Sequence, residues 1–108
     1  MEGGVRVRYI GIDAPEMEEC FSAEAKAENK NLVDGKTVRL EKDVSETDTY
    51  GRLLRYVYIE NELVNDVLVR QGFARAEPVK PDTRYADQFW SAQQEARNNN
   101  RGLWGVCQ

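Results

Sequence analysis

The segment Arg52–Ile59 (R-L-L-R-Y-V-Y-I) constrains the fold more than any other part of the chain. It lies between Gly51 and a turn candidate at Glu60-Asn61. Its branched and aromatic residues suit a strand packed against neighbours. Such a strand needs partners, and two other segments alternate in the required way. Val5–Ile12 (V-R-V-R-Y-I-G-I) alternates through its first five residues, and Thr37–Lys42 (T-V-R-L-E-K) does so throughout. Gly11 inside the first run points to a bulge or a close backbone approach. Pro15 closes that segment. Between the two strands the pattern predicts a helix from Ala23 to about Val33, with Ser22 as cap and Glu24 at its positive end. Phe21, Ala25 and Leu32 give it one apolar side, and Asp34-Gly35 ends it.

After Ile59, Asn65 is expected to cap a short helix, Asp66–Gln71, stopped by Gly72. Phe73–Ala76 follows as a short strand, and Glu77–Thr83, with Pro78 and Pro81, as a loop. Tyr85, Phe89, Ala92 and Ala96 share one face of a closing helix. Leu103 and Trp104 form a terminal plug on the core. The order of elements implies an α+β domain with a small, mainly antiparallel sheet. With 108 residues the chain suits one domain, and neither a repeat nor a linker interrupts it.

Composition narrows the chemistry. The chain has no His and only two Cys. This excludes His-based triads, His general bases and Cys₄ zinc sites. Reactivity must come from carboxylates, Arg, Lys, Tyr, Ser/Thr or an oxygen-held metal. The formal net charge of −4 argues against strong non-specific DNA binding. No apolar run approaches the roughly 20 residues that span a bilayer. Met1-Glu2-Gly3-Gly4 carries no basic stretch before an apolar core, so no uncleaved secretory signal is expected.

Two clusters could carry chemistry. In Arg8-Tyr9-Ile10-Gly11-Ile12-Asp13-Ala14-Pro15-Glu16 a strand ends and two carboxylates follow. Asp13 and the Ala14 carbonyl could ligate a hard cation. Glu16 could take a proton from water, and the planar fork of Arg8 suits a phosphate. A regular strand would point Arg8 and Asp13 to opposite faces, and a bulge at Gly11 would bring them together. The plain alternative is an Asx turn before Pro with a solvated Arg8. The second cluster, Asp48-Thr49-Tyr50-Gly51-Arg52, reads by itself as an ordinary loop before a strand.

Together the two clusters resemble the signature of the staphylococcal nuclease (thermonuclease-like) family. An Arg, four residues and D-[AT]-P-E stand at Arg8 and Asp13–Glu16, and D-x-Y-G-R stands at Asp48–Arg52. The resemblance runs on through Leu63-Val64-Asn65 and Leu68–Ala74 to Arg101-Gly102-Leu103-Trp104. It implies an OB-type five-stranded barrel with packed helices. It also implies calcium-dependent hydrolysis of DNA and RNA phosphodiesters. By the same resemblance Asp13 and the Ala14 carbonyl are Ca²⁺ ligands, and Glu16 is the general base. Arg8 and Arg52 clamp the phosphate, while Asp48, Thr49 and Tyr50 line the nucleotide pocket. Such an arrangement stabilises the charge that grows in the transition state.

The chain departs from the family pattern in two places. The family's first two strands, one bearing a further calcium-ligating Asp, are missing, since Glu2-Gly3-Gly4-Val5 resembles the turn before the third strand. A truncated barrel leaves open edges, so either self-association as a homodimer or a strand-complementing chain is expected. Glu77 and Val79 stand where the best-known members place two Tyr. Cys20 and Cys107 resemble pairs in exported relatives, which implies a Cys20–Cys107 disulfide and a secreted, periplasmic or cell-surface setting; two free thiols are the alternative. A non-catalytic nucleic-acid or protein-binding module of the same fold is the competing function.

Overall fold

The computed structural model describes residues 6–107. The expected turn at residues 2–5 and the first residue of the first strand fall outside them. The elements are β1 (Val7–Tyr9), β2 (Ile12–Asp13), α1 (Ser22–Val33), β3 (Arg39–Glu41) and β4 (Leu53–Ile59). They continue with β5 (Glu62–Leu63), α2 (Val64–Arg70), β6 (Arg75–Ala76), α3 (Ala86–Asn98) and α4 (Leu103–Val106).

The expected central strand is β4. It pairs with β1 on one side and β3 on the other, and β5 folds back onto its end. The fold is mixed α+β, with short strands and several helices, and matches the expected class. No closed barrel forms among the described residues. The β1–β4 pairing is parallel, with Arg8 opposite Leu54. The other pairings are antiparallel, as expected of a mainly antiparallel sheet; at this one edge the long stretch between the two strands, containing α1, supplies the crossover that parallel pairing requires. Residues of β1, β3 and β4 line a trough of about 340 Å³ beside α1, with Val7, Tyr9, Val33, Val38, Leu40 and Val57 on its walls and Asn29 and Lys36 beside them.

Three local expectations need correction. The first strand is split: Ile10 and Gly11 form a turn, and β2 leaves to pair antiparallel with β6. Gly11 has φ of +79°, and a Cβ there would lie 2.6 Å from the Phe89 ring. Both constraints select glycine. Ser22 does not cap α1. The capping position is Phe21, at φ 74° with no side-chain cap bond, held instead by stacking on Phe73 at 5.4 Å between centroids. Asn65 is likewise not a cap but lies inside α2, fully buried.

Tyr56, Val57, Leu68, Val69, Phe89 and Ala92 meet in the core. Phe89, Ala92 and Ala96 form the buried face of α3, as their spacing predicted, and Leu103 is buried while Trp104 is only half-buried. Asn65 holds this core to the turn after β1. Its Oδ1 accepts from the Val57 N–H at 2.9 Å, and its Nδ2 donates to the Ile10 carbonyl at 2.9 Å. Asn65→Leu would bury two backbone groups without partners, at a cost of about 2–4 kcal/mol. Urea unfolding is expected to show that loss, with an unchanged slope on denaturant concentration.

Candidate active site

The turn at Gly11 resolves the geometric problem posed by the spacing of Arg8 and Asp13. The guanidinium of Arg8 spans the turn. Its Nη1 donates to the carbonyls of Tyr9 at 2.9 Å and Ile12 at 2.7 Å. Its Nη2 lies 3.8 Å from Asp13 Oδ1 and 3.8 Å from Glu77 Oε2. Arg8 is thus held on the same side as Asp13 by backbone oxygens, with a carboxylate on each flank.

Arg52 is placed by its own loop. Asp48 Oδ1 accepts from the N–H groups of Tyr50 at 2.8 Å and Arg52 at 2.9 Å. Its Oδ2 accepts from Arg52 Nε at 2.6 Å. Gly51, at φ of +80°, closes the turn. Burial raises the Asp48 carboxyl, but the backbone N–H groups of Arg52 and Tyr50, with the Arg52 side chain, outweigh it and hold the pKa below the usual range. Asp48 is therefore ionised at neutral pH, and its grip on Arg52 weakens only as pH falls through that lowered value. The sequence motif is here a small machine for aiming one guanidinium.

The parallel register then brings the two arginines together. Arg8 is opposite Leu54, and side chains two apart on a strand share a face. Arg8, Arg52 and Leu54 accordingly line one cleft of about 430 Å³, together with Thr49, Tyr50 and Lys80. Asp48, Glu77, Val79 and Asp82 complete the same walls. Tyr50 is 77% exposed, with its ring centroid 5.6 Å from the Arg52 guanidinium carbon, which leaves an aromatic face open at the rim. Asp82 does not point a free charge into the cleft, because its Oδ1 accepts from the N–H groups of Val44 and Ser45.

Other expected site residues lie apart from this cleft. Glu16 is exposed in the following loop. Its N–H donates to Glu19 Oε1 at 2.7 Å, and its carbonyl accepts from the Glu19 N–H at 2.9 Å. Ala14 lines an adjoining groove beside α1 with Arg8, Ile12, Pro15, Met17 and Ala25, so Arg8 borders both. Cys20 and Cys107 form a disulfide across 87 residues of sequence. It ties the end of the Glu16 loop to the residue after α4.

Lys80 was missed as a member of the cleft, and Glu77 was placed beside the nucleotide only through the family's Tyr pair. The placement of Glu77 depends on β2–β6 pairing, with Asp13 opposite Arg75, and on the Glu77 N–H donating to the Gly11 carbonyl at 2.7 Å. A strand pair two residues long leaves no periodicity to read. The only signal was the position of E-P-V-K relative to the family's Tyr pair.

The donors available for a metal are hard oxygens: the half-exposed Asp13 carboxylate, the neighbouring Ala14 carbonyl and the Glu16 carboxylate further along the loop. No group of three or more acidic or thiol residues placed to hold a metal occurs among the described residues. This set fits an oxygen-seeking cation that keeps most of its water.

Residues 6–106 match the family model described as staphylococcal nuclease homologue. The chain belongs to the staphylococcal nuclease family. It is 39% identical over 106 residues to the SPbeta prophage-derived endonuclease YokF of Bacillus subtilis (strain 168), covering 91% of this chain and 36% of that protein. It is 38% identical to the endonuclease YncB of the same strain, covering 91% of this chain and 50% of that one. Against the thermonuclease of Staphylococcus hyicus the identity is 34%, over 91% of this chain and 62% of the relative. The chain thus spans between about a third and two thirds of the length of these family members. No helix among the described residues is long and apolar enough to cross a membrane.

Proposed function

We propose that this domain is a calcium-dependent nuclease that hydrolyses phosphodiester bonds of DNA or RNA. The observation that carries the reading is the convergence of Arg8 and Arg52 on one open cleft, each aimed by its own loop. Two guanidinium groups facing one cleft form a natural clamp for a phosphate, and fixed charges need no reorganisation as the transition state gains charge. Glu16 takes the proton of the attacking water. Asp48, Thr49 and Tyr50 hold the nucleotide, with Tyr50 offering a face for a base. Asp13 and the Ala14 carbonyl would hold Ca²⁺, which when bound supplies further charge stabilisation to the phosphate oxygens. The disulfide supports work in an oxidising setting: secreted, periplasmic or at the cell surface.

A second reading is a binding module with weak or no catalysis. It is favoured by the position of Glu16 outside the arginine cleft and by the carboxylates that already engage both arginines. Cleavage of end-labelled DNA and RNA oligonucleotides, in Ca²⁺ and in chelator, separates the two. The expected result is cleavage in Ca²⁺ and a loss of at least about 100-fold in chelator. Oligonucleotide binding without cleavage under both conditions would select the second reading.

A further inference from the structure

We propose that Glu77 is a charge filter at the phosphate clamp, favouring the monoanionic phosphodiester inside a strand over a dianionic terminal phosphate. The inference deepens the phosphate-clamp reading above and rests on it.

Glu77 is held where it can act. The β2–β6 pairing and the hydrogen bond from its N–H to the Gly11 carbonyl fix its backbone against the turn that carries Arg8. Its carboxylate lies 3.8 Å from Arg8 Nη2 and lines the same cleft as Arg52. The other carboxylates of the cleft are already committed. Asp48 is tied to two backbone N–H groups and to Arg52 Nε, and Asp82 to two backbone N–H groups. Among the described residues, the Glu77 carboxylate has only its loose ion pair with Arg8.

Charge balance gives the consequence. The lining of the cleft sets Arg8, Arg52 and Lys80 against Asp48, Glu77 and Asp82, and Asp13 on the other flank of Arg8 adds one more negative charge, so the site carries no cationic excess. A phosphodiester brings one negative charge. A terminal phosphate brings about 1.5 to 2 at neutral pH, because its second ionisation falls near pH 6. Both gain from the arginines, but in the metal-free protein the extra charge of the monoester meets Glu77 without a further cation to answer it. Glu77 is more than half-exposed and Arg8 about a quarter. Solvent therefore screens the repulsion, and a discrimination of about five- to tenfold is expected rather than an absolute block.

The test uses binding and requires no turnover. Deoxyadenosine 5′-monophosphate and its methyl phosphodiester differ by one ionisable oxygen. Their affinities for the intact chain and for Glu77→Gln are measured by calorimetry at low salt in the presence of chelator. Glu77→Gln is expected to tighten the monophosphate about five- to tenfold and the methyl ester about twofold or less. Glu77→Asp, which keeps the charge, is expected to retain the discrimination of the parent. Near pH 5, where the monophosphate carries close to one charge, the two ligands should bind the parent alike. Equal tightening of both ligands by Glu77→Gln, or no change in either, would overturn the filter alone. A folded parent that binds neither ligand would overturn the clamp and the filter together.

Discussion

Replacing Glu16 by Gln is expected to lower kcat by about 100- to 10,000-fold while leaving KM within about threefold, because a general base acts in the transition state. The substitution should not disturb the fold. The Glu16 side chain is exposed, and the turn around it is held by its backbone and by Glu19. The expected split follows from its position. Arg8 and Arg52 line the cleft proposed above to receive the phosphate, whereas Glu16 stands outside the cleft walls. On the proposed roles, loss of Glu16 leaves the clamp in place, so KM should hold while kcat falls. Single-turnover cleavage at saturating and limiting substrate separates the two parameters. A raised KM with unchanged kcat would take Glu16 out of the base role.

Removing the disulfide by Cys20→Ser with Cys107→Ser is expected to destabilise the domain by about 4–5 kcal/mol. The bond closes a loop with a sequence separation of 87, and cross-linking so long a stretch takes much freedom from the unfolded chain. That is a large share of the total stability of a small domain. Denaturant unfolding of the parent and the double variant measures the difference directly. Thiol titration of the denatured, unreduced parent should find no reactive sulfhydryl. A stability change below about 1 kcal/mol would mean that the unfolded chain already holds its ends together.

The sequence was legible where physical signals were dense. The aromatic and branched run at Arg52–Ile59 became β4 almost to the residue, and the 3.6-residue spacing of Phe89, Ala92 and Ala96 placed α3 and its buried face. The cleft was legible in part. The Asp48–Arg52 motif marked the loop, and Gly11 marked the break that puts Arg8 beside Asp13. The failures share a cause. Ser22 and Asn65 are good capping residues by local preference, but tertiary contacts set both sites: Phe21 stacks on Phe73, and Asn65 satisfies buried groups of β4 and the Gly11 turn. The parallel register and the approach of Glu77 to Arg8 depend on partners distant in sequence, and local periodicity carries no record of them.

The parallel pairing of β1 with β4 has a consequence for how the cleft comes into being. A ribosome delivers Arg8 early, but the strand beside it is complete only when Leu54 and its neighbours have emerged. At about 5–20 residues per second, β1 waits several seconds for its neighbour. β2 waits longer, for β6, and Cys20 waits for Cys107. The turn beside Arg8 thus takes its final shape from segments that arrive after it.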